Sequence, residues 1–150
     1  MRAVIQRVKR AQVSVDGEVV SKIGKGLLVL IGVGNKDTHA AADYIAEKII
    51  NLRIFEDAHE KMNLSLKDIS GELLVVSQFT LYGDCRKGKR PSFTDSARPD
   101  IAKSIFDYLL DKLSHLGVTN VQSGVFAAHM DVELINDGPV TILIDSDKAF

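Results

Sequence analysis

Cysteine is nearly absent from this chain: Cys85 stands alone among 150 residues. No intramolecular disulfide can form, and the expected compartment is a reducing one, read here as the cytoplasm. Long hydrophobic runs are missing too. The most apolar stretch, Gly26 to Gly34 (GLLVLIGVG), falls far short of the roughly 20 residues that cross a bilayer. It also lies too far from the N-terminus for a secretory signal, and the opening residues alternate like a strand. No charge of one sign dominates, since 19 Lys and Arg against 20 Asp and Glu leave a net −1. A protein that coats nucleic acid through global charge is excluded, so any such contact must come from a local patch.

Signatures of common chemistries are also lacking. His39, His59, His115 and His129 show no HxH, HExxH or Cys/His spacing, so no metal is expected. Neither GxGxxG nor a P-loop occurs, and no nucleotide cofactor of those kinds is expected. Ser77 sits between Val76 and Gln78, which is not a GxSxG nucleophile elbow. Arg86 and Lys87 adjoin Cys85, but a lone loop cysteine carries no assignment.

What is present fits one soluble-type α+β domain over residues 1–150. The chain is 45% hydrophobic and 26% charged, ordinary for a globular fold. Arg2–Val8 and Ala11–Ile23 alternate as strands, with Asp16-Gly17 as a hairpin turn. Leu27–Val33 reads as a strand buried on both faces. Ala42, Ile45, Ala46, Ile49 and Leu52 recur at helical spacing after Asp37 or Thr38, either a suitable N-cap. Arg53–Glu56 reads as a short strand and Gly71–Asp84 as a long one ending in a turn. A second helix is predicted over 99–115, with Ile101, Ile105, Phe106, Leu109 and Leu113 on one face, Pro99 at its start and Gly117 beyond its end. Strands at 121–126, 131–135 and 140–145 close the chain. Strands in runs with only two helices predict a mostly antiparallel sheet curled toward a β-barrel, the helices outside.

Three stretches carry chemistry. CRKGKRPSF (Cys85–Phe93) packs Arg86, Lys87, Lys89 and Arg90 around Gly88. It reads as a solvated loop or as a contact for a few phosphates, because clustered cations bind a nucleic-acid backbone without reading sequence. SQFTL (Ser77–Leu81) ends an apolar strand, where side chains alternate between packing and a cleft, and a strand end offers N–H groups to an oxyanion. NDGPVT (Asn136–Thr141) looks like a hairpin tip. Its proline is awkward there, since it gives no N–H to a ladder. Either it is only a turn or the backbone itself binds something.

MRAVIQRV, VDGEVV, GLLVLIGV, SQFTLYGD and NDGPVT, in this order and spacing, resemble the D-aminoacyl-tRNA deacylases. The resemblance runs from Met1 to about Asp145 and leaves out SDKAF. It implies an editing hydrolase that cleaves the ester of D-aminoacyl-tRNAs, and of glycine mischarged on alanine tRNA, without a cofactor. It implies a homodimer with active sites at the interface, acting on the aminoacylated 3′ end of tRNA and on neither DNA nor membrane. It implies a cis Gly138–Pro139 bond whose carbonyls reach the partner's pocket and hold the substrate ammonium, rejecting an L side chain. X–Pro bonds accept cis at only about 0.5–1 kcal/mol. Ser77, Gln78, Phe79 and Thr80 transfer as the catalytic half, with N–H groups near Gln78 and Phe79 for the oxyanion. Arg7 transfers as the brace of the Gly-Pro loop, and Phe126, Met130, Asn136 and Thr141 as its support. Two routes stay open: Thr80 as nucleophile, or water assisted by the ribose 2′-OH. A non-catalytic RNA-end or small-molecule binding module is the alternative reading, and a general esterase lacks its triad.

Overall fold

The computed structural model describes residues 1–150. In chain order the elements are β1 (Arg2–Val15), β2 (Glu18–Ile23), β3 (Gly26–Gly32), α1 (His39–Asn51), β4 (Phe55–Glu56), β5 (Met62–Leu64), β6 (Glu72–Ser77), a 3₁₀ turn (Phe79–Tyr82), α2 (Pro99–His115), β7 (Val121–Ser123) and β8 (Asp131–Asp145). No helix is long and apolar enough to cross a membrane.

The frame is one long hairpin. Asp16 and Gly17 turn the chain at φ 52° and 83°, the positive values a type I′ turn needs. Ala11 then faces Ile23 and Val8 faces Gly26, so β2 and β3 continue one register against β1, interrupted at Gly24 and Lys25. The first strand runs unbroken to Val15 rather than pausing after Val8, as the sequence had implied. Beyond β3 the sheet becomes parallel, with β6 beside β3 and β7 beside β6. The domain is therefore α+β with a mixed, nearly closed, barrel-shaped sheet, antiparallel around β1 and parallel across β3, β6 and β7.

Side chains on the two sheet faces alternate, as a strand's two-residue period requires. Ala3, Ile5, Leu27, Val29, Leu73 and Val75 pack with both helices in the main core, and Leu28, Leu74 and Val76 fill the other face with Val8, Ala11 and Val13. Helix α1 buries Ala42, Ile45, Ala46, Ile49 and Ile50, with Leu52 as its half-buried cap. Helix α2 buries Ile105, Phe106, Leu109 and Leu113. Ile101 departs from expectation: it is 46% exposed, the neighbouring Ala102 being the residue of this turn that packs against the core. Asp43 joins the helices, accepting from Tyr108 and Lys112, each at 3.0 Å. The Lys112 ammonium, then the Tyr108 hydroxyl, holds that carboxyl below its ordinary range.

Two strand ends differ from the sequence reading. β6 stops at Ser77, where Gln78 takes φ −144° and ψ 81° and the chain coils into the 3₁₀ turn. β7 ends at Ser123 rather than 126.

The larger correction concerns NDGPVT. Residues 131–135 and 140–145 do not fold back on each other. Both lie along β1 in one strand, β8, with Ser14 opposite Asp131 and Arg2 opposite Asp145. The ladder slips by one residue between Val8↔Asn136 and Arg10↔Ile135, and its large break lies between Val8↔Asn136 and Gln6↔Thr141, so Asp137–Val140 bulge out opposite Arg7. A strand with a bulge explains the proline better than a hairpin tip does, since a bulge releases it from donating to the ladder. No other strand pairs with the outer edge of β8.

Candidate active site

Where β6 ends, the strand, the first turns of α2 and the segment 126–130 line a cavity of about 560 Å³. That lies within the size range of small-ligand sites and is far too small for a folded RNA. Ser77, Gln78 and Phe79 form one wall, Phe106 and Phe126 another, and Met130 and His129 the rim. The aromatic pairs are specific: Phe106 meets Phe126 at 6.0 Å, and Phe79 meets Phe93 edge-on at 5.1 Å. Phe79 is nonetheless 57% exposed, a large apolar ring held open at the mouth.

The donors at this wall are unequal. The Gln78 N–H is already engaged, donating to the Ile31 carbonyl at 2.7 Å. Phe79 opens the 3₁₀ turn, and the first N–H of a helical turn has no acceptor within it. The Gln78 side-chain amide donates to the Thr80 hydroxyl. An amide is not a base, and Thr80 has no other side-chain partner. Thr80 is exposed and lies outside the cavity wall.

The turn that carries Phe79 is tied down from behind. Arg2 donates to the Leu81 carbonyl at 2.9 Å, lies 4.5 Å above the Tyr82 ring and pairs with Asp145 at 3.2 Å. Burial, then Asp37 and Asp145, pushes the Tyr82 phenol well above its ordinary value.

The bulge of β8 forms a second, separate group. Arg7, only 5% exposed, donates to the Ile54 carbonyl at 2.7 Å and to the Asp137 carbonyl at 3.3 Å. The Asn136 amide donates to the carbonyls of Arg7 and Val140 at 2.9 and 3.1 Å. Gly138 has φ 119°, and a Cβ there would lie 2.8 Å from a Val140 methyl and 3.0 Å from the Arg7 guanidinium. Its bond to Pro139 is cis. Gly138, Pro139 and Thr141 face solvent.

Within one chain the two groups do not meet. Ser77, Gln78, Phe79, Phe126 and Met130 share the cavity, whereas Arg7, Asn136, Gly138, Pro139 and Thr141 gather at the bulge. Phe126 and Met130 thus line the cavity, not the Gly-Pro segment of their own chain. The basic residues 86–90 are exposed on a loop closed by paired backbone bonds between Asp84 and Ser92. Sequence reading missed Ala97, Ala102 and Ala128, small residues that leave the cavity open, and Phe93 and His129 at its edge. No signal in a single sequence marks an alanine as a cavity wall. No group of three His, Cys, Asp or Glu side chains converges to hold a metal.

The model of the family described as D-Tyr-tRNA(Tyr) deacylase matches residues 4–145. The chain belongs to this family. Its relatives include D-aminoacyl-tRNA deacylases of Thermosipho africanus and Clostridioides difficile, 61% and 60% identical over 150 residues, covering all of both chains in each case. Among solved structures, the c-Myc DNA Unwinding Element Binding Protein is 40% identical with a TM-score of 0.92, over 97% of this chain and 98% of that one. A probable eukaryotic D-amino acid tRNA deacylase is 18% identical, with a TM-score of 0.80 over 95% and 97%, a likeness of fold alone. For the deacylase family, the cavity and the bulge are the features to account for.

Proposed function

We propose that this deacylase hydrolyses the ester joining a D-amino acid, or glycine, to the 3′ end of tRNA, with each active site completed by a second copy of the chain. Full-length similarity to D-aminoacyl-tRNA deacylases carries the reading. The separation of the two residue groups supports the second copy. The outer edge of β8 is unpaired and carries Val132, Ile135 and Leu143, the last 57% exposed. A long apolar edge is a template for another chain, and here it holds the Gly138–Pro139 bulge outward.

In this account the terminal aminoacyl-adenosine enters the cavity of one copy, and the bulge of the other closes over it. Backbone carbonyls of Gly138 and Pro139 accept from the α-ammonium, and the Phe79 N–H binds the carbonyl oxygen as it becomes an oxyanion. With ammonium and carbonyl both fixed, one direction from the α-carbon stays open. A D side chain points there; an L side chain would meet backbone. Glycine has nothing to reject, so glycyl-tRNA is also a substrate, including glycine on alanine tRNA.

Water supplies the new C–O bond, the bond to the ribose 3′ oxygen breaks, and the 3′ oxygen takes a proton. The ribose 2′-OH assists the water. The Thr80 hydroxyl, held by an amide with no base beside it, lacks the activation a nucleophile needs.

The test is deacylation of matched D- and L-tyrosyl-tRNA with glycyl-tRNA alongside. Rapid loss of D-tyrosine and glycine, with L-tyrosine retained, is the expected result. Equal loss of all three would remove the selection argument. No loss of any would favour a non-catalytic RNA-end binding module.

A further inference from the structure

We infer that Lys87, Lys89 and Arg90 form a phosphate-binding finger for the RNA strand whose 3′ end occupies the cavity, and that Arg86 is the staple that shapes this finger rather than one of its ligands. The inference rests on the deacylase reading for the identity of the RNA and deepens it by naming the surface outside the pocket.

The loop is built, not loose. Asp84 and Ser92 exchange backbone hydrogen bonds of 2.8 and 3.0 Å at its base. Arg86 curls back onto Asp84: its backbone N–H, Nε and Nη2 all donate to that carboxylate, at 3.0, 2.9 and 2.7 Å. One cation of the cluster is thereby neutralised inside the loop. Lys87, Lys89 and Arg90 have no ion pair anywhere in the chain, and all three are exposed.

Position supplies the second argument. Phe93, next to the closing Ser92, is itself a cavity wall packed against Phe79. An extended chain spans at most about 3.3–3.6 Å per residue. The free cations therefore lie within roughly 15–20 Å of the cavity mouth, within reach of phosphates a few nucleotides from the terminal one. Net charge is −1, so this cluster is a local exception rather than part of a basic surface. Its chemistry selects backbone phosphate, not base identity.

The experiment measures binding of an uncharged tRNA transcript by the full chain across a salt series, which needs no catalysis. Each single-strand phosphate neutralised contributes about 0.7 to the slope of log K against log salt. The Lys87→Gln/Lys89→Gln/Arg90→Gln variant is expected to lose about 2 from that slope and about tenfold or more in affinity at low salt. Arg86→Gln, which in this account removes no phosphate contact, is expected to change the slope by well under the roughly 0.7 that one contact contributes. An unchanged slope in the triple variant would overturn the proposal, as would a loss of about 0.7 or more on Arg86→Gln alone. Deacylation by the unmodified chain is scored separately. Absent hydrolysis with a loop-dependent slope would sink the deacylase reading and leave the finger standing.

Discussion

Arg7 and Asp137 meet across the break in the β1–β8 ladder, with Nε of the guanidinium 3.3 Å from both the carbonyl and the carboxylate of Asp137. The same guanidinium donates to Ile54 at 2.7 Å. One buried side chain thus fixes the bulge to the body of the fold. Arg7→Ala would leave the Ile54 carbonyl unpaired in the interior. A loss of about 1–3 kcal/mol in urea unfolding is expected, with deacylation falling further than stability alone explains. Arg7→Lys keeps the charge but not the fork, and is expected to recover stability more than activity.

Gly138→Ala tests the bulge directly. At φ 119°, with a Cβ 2.8 Å from Val140 and 3.0 Å from Arg7, the alanine must displace the segment. Strain of about 1–3 kcal/mol is usual for such a residue. Rates on D-aminoacyl-tRNA are expected to drop about 10- to 100-fold, while the melting temperature falls by only about 2–12 °C.

Thr80→Ala separates the two hydrolytic routes. Retention of activity within about tenfold is expected, because the hydroxyl touches only the Gln78 amide. Removing a true nucleophile would cost about 10⁴-fold or more. A tRNA ending in 2′-deoxyadenosine, charged at its 3′ oxygen, is expected to be the poorer substrate for the unmodified chain.

The Asp84–Arg86 contact predicts a pH response. Hydrogen bonds from Arg86 hold the Asp84 carboxyl down to about 2. Its pKa is depressed in the folded state, so the staple is intact above the ordinary carboxylate range and released as pH falls through about 2. Carboxyl NMR should show that midpoint for Asp84. In Arg86→Gln it should rise toward the ordinary value of about 3.9.

Arg2 acts through the turn it supports. Its bond to Leu81 and its stacking on Tyr82 hold the segment that presents the Phe79 N–H. Arg2→Ala is expected to lower kcat about tenfold with KM little changed, since small misplacements of catalytic groups are costly. Arg2→Lys, which keeps a cation over the ring, is expected to fall between.

Much of this architecture was legible in the chain because its signals are local. Ala42, Ile45, Ala46 and Ile49 repeat at helical spacing, and Asp16-Gly17 carries its own turn geometry. The Asp137-Gly138 pair sent the same local signal and meant something else. Whether residues flanking an Asp-Gly pair fold onto each other or both lie on β1 is decided by long-range pairing, more than a hundred positions away in sequence. The parallel placement of β6 beside β3 is hidden for the same reason. The cavity escaped notice because Ala97, Ala102 and Ala128 define it by what they do not fill. SQFTL is visible as a motif, but pairing with β3 and the 3₁₀ turn decide that the Gln78 N–H is engaged and that Phe79 opens the turn.

The central claim is that each active site takes its cavity from one chain and its Gly138–Pro139 bulge from another. Subunit complementation tests it most directly. One chain carries Gly138→Ala, spoiling the bulge; the other carries Ala128→Trp, filling the cavity. Each alone is expected to keep a tenth of full activity or less. Mixed after reversible dissociation, half of the dimers are heterodimers, and one of their two sites is intact if the halves come from different chains. About a quarter of full activity should return. If both groups of residues serve the same chain, no mixed dimer holds an intact site, and activity that stays at the level of the separate variants would contradict the account.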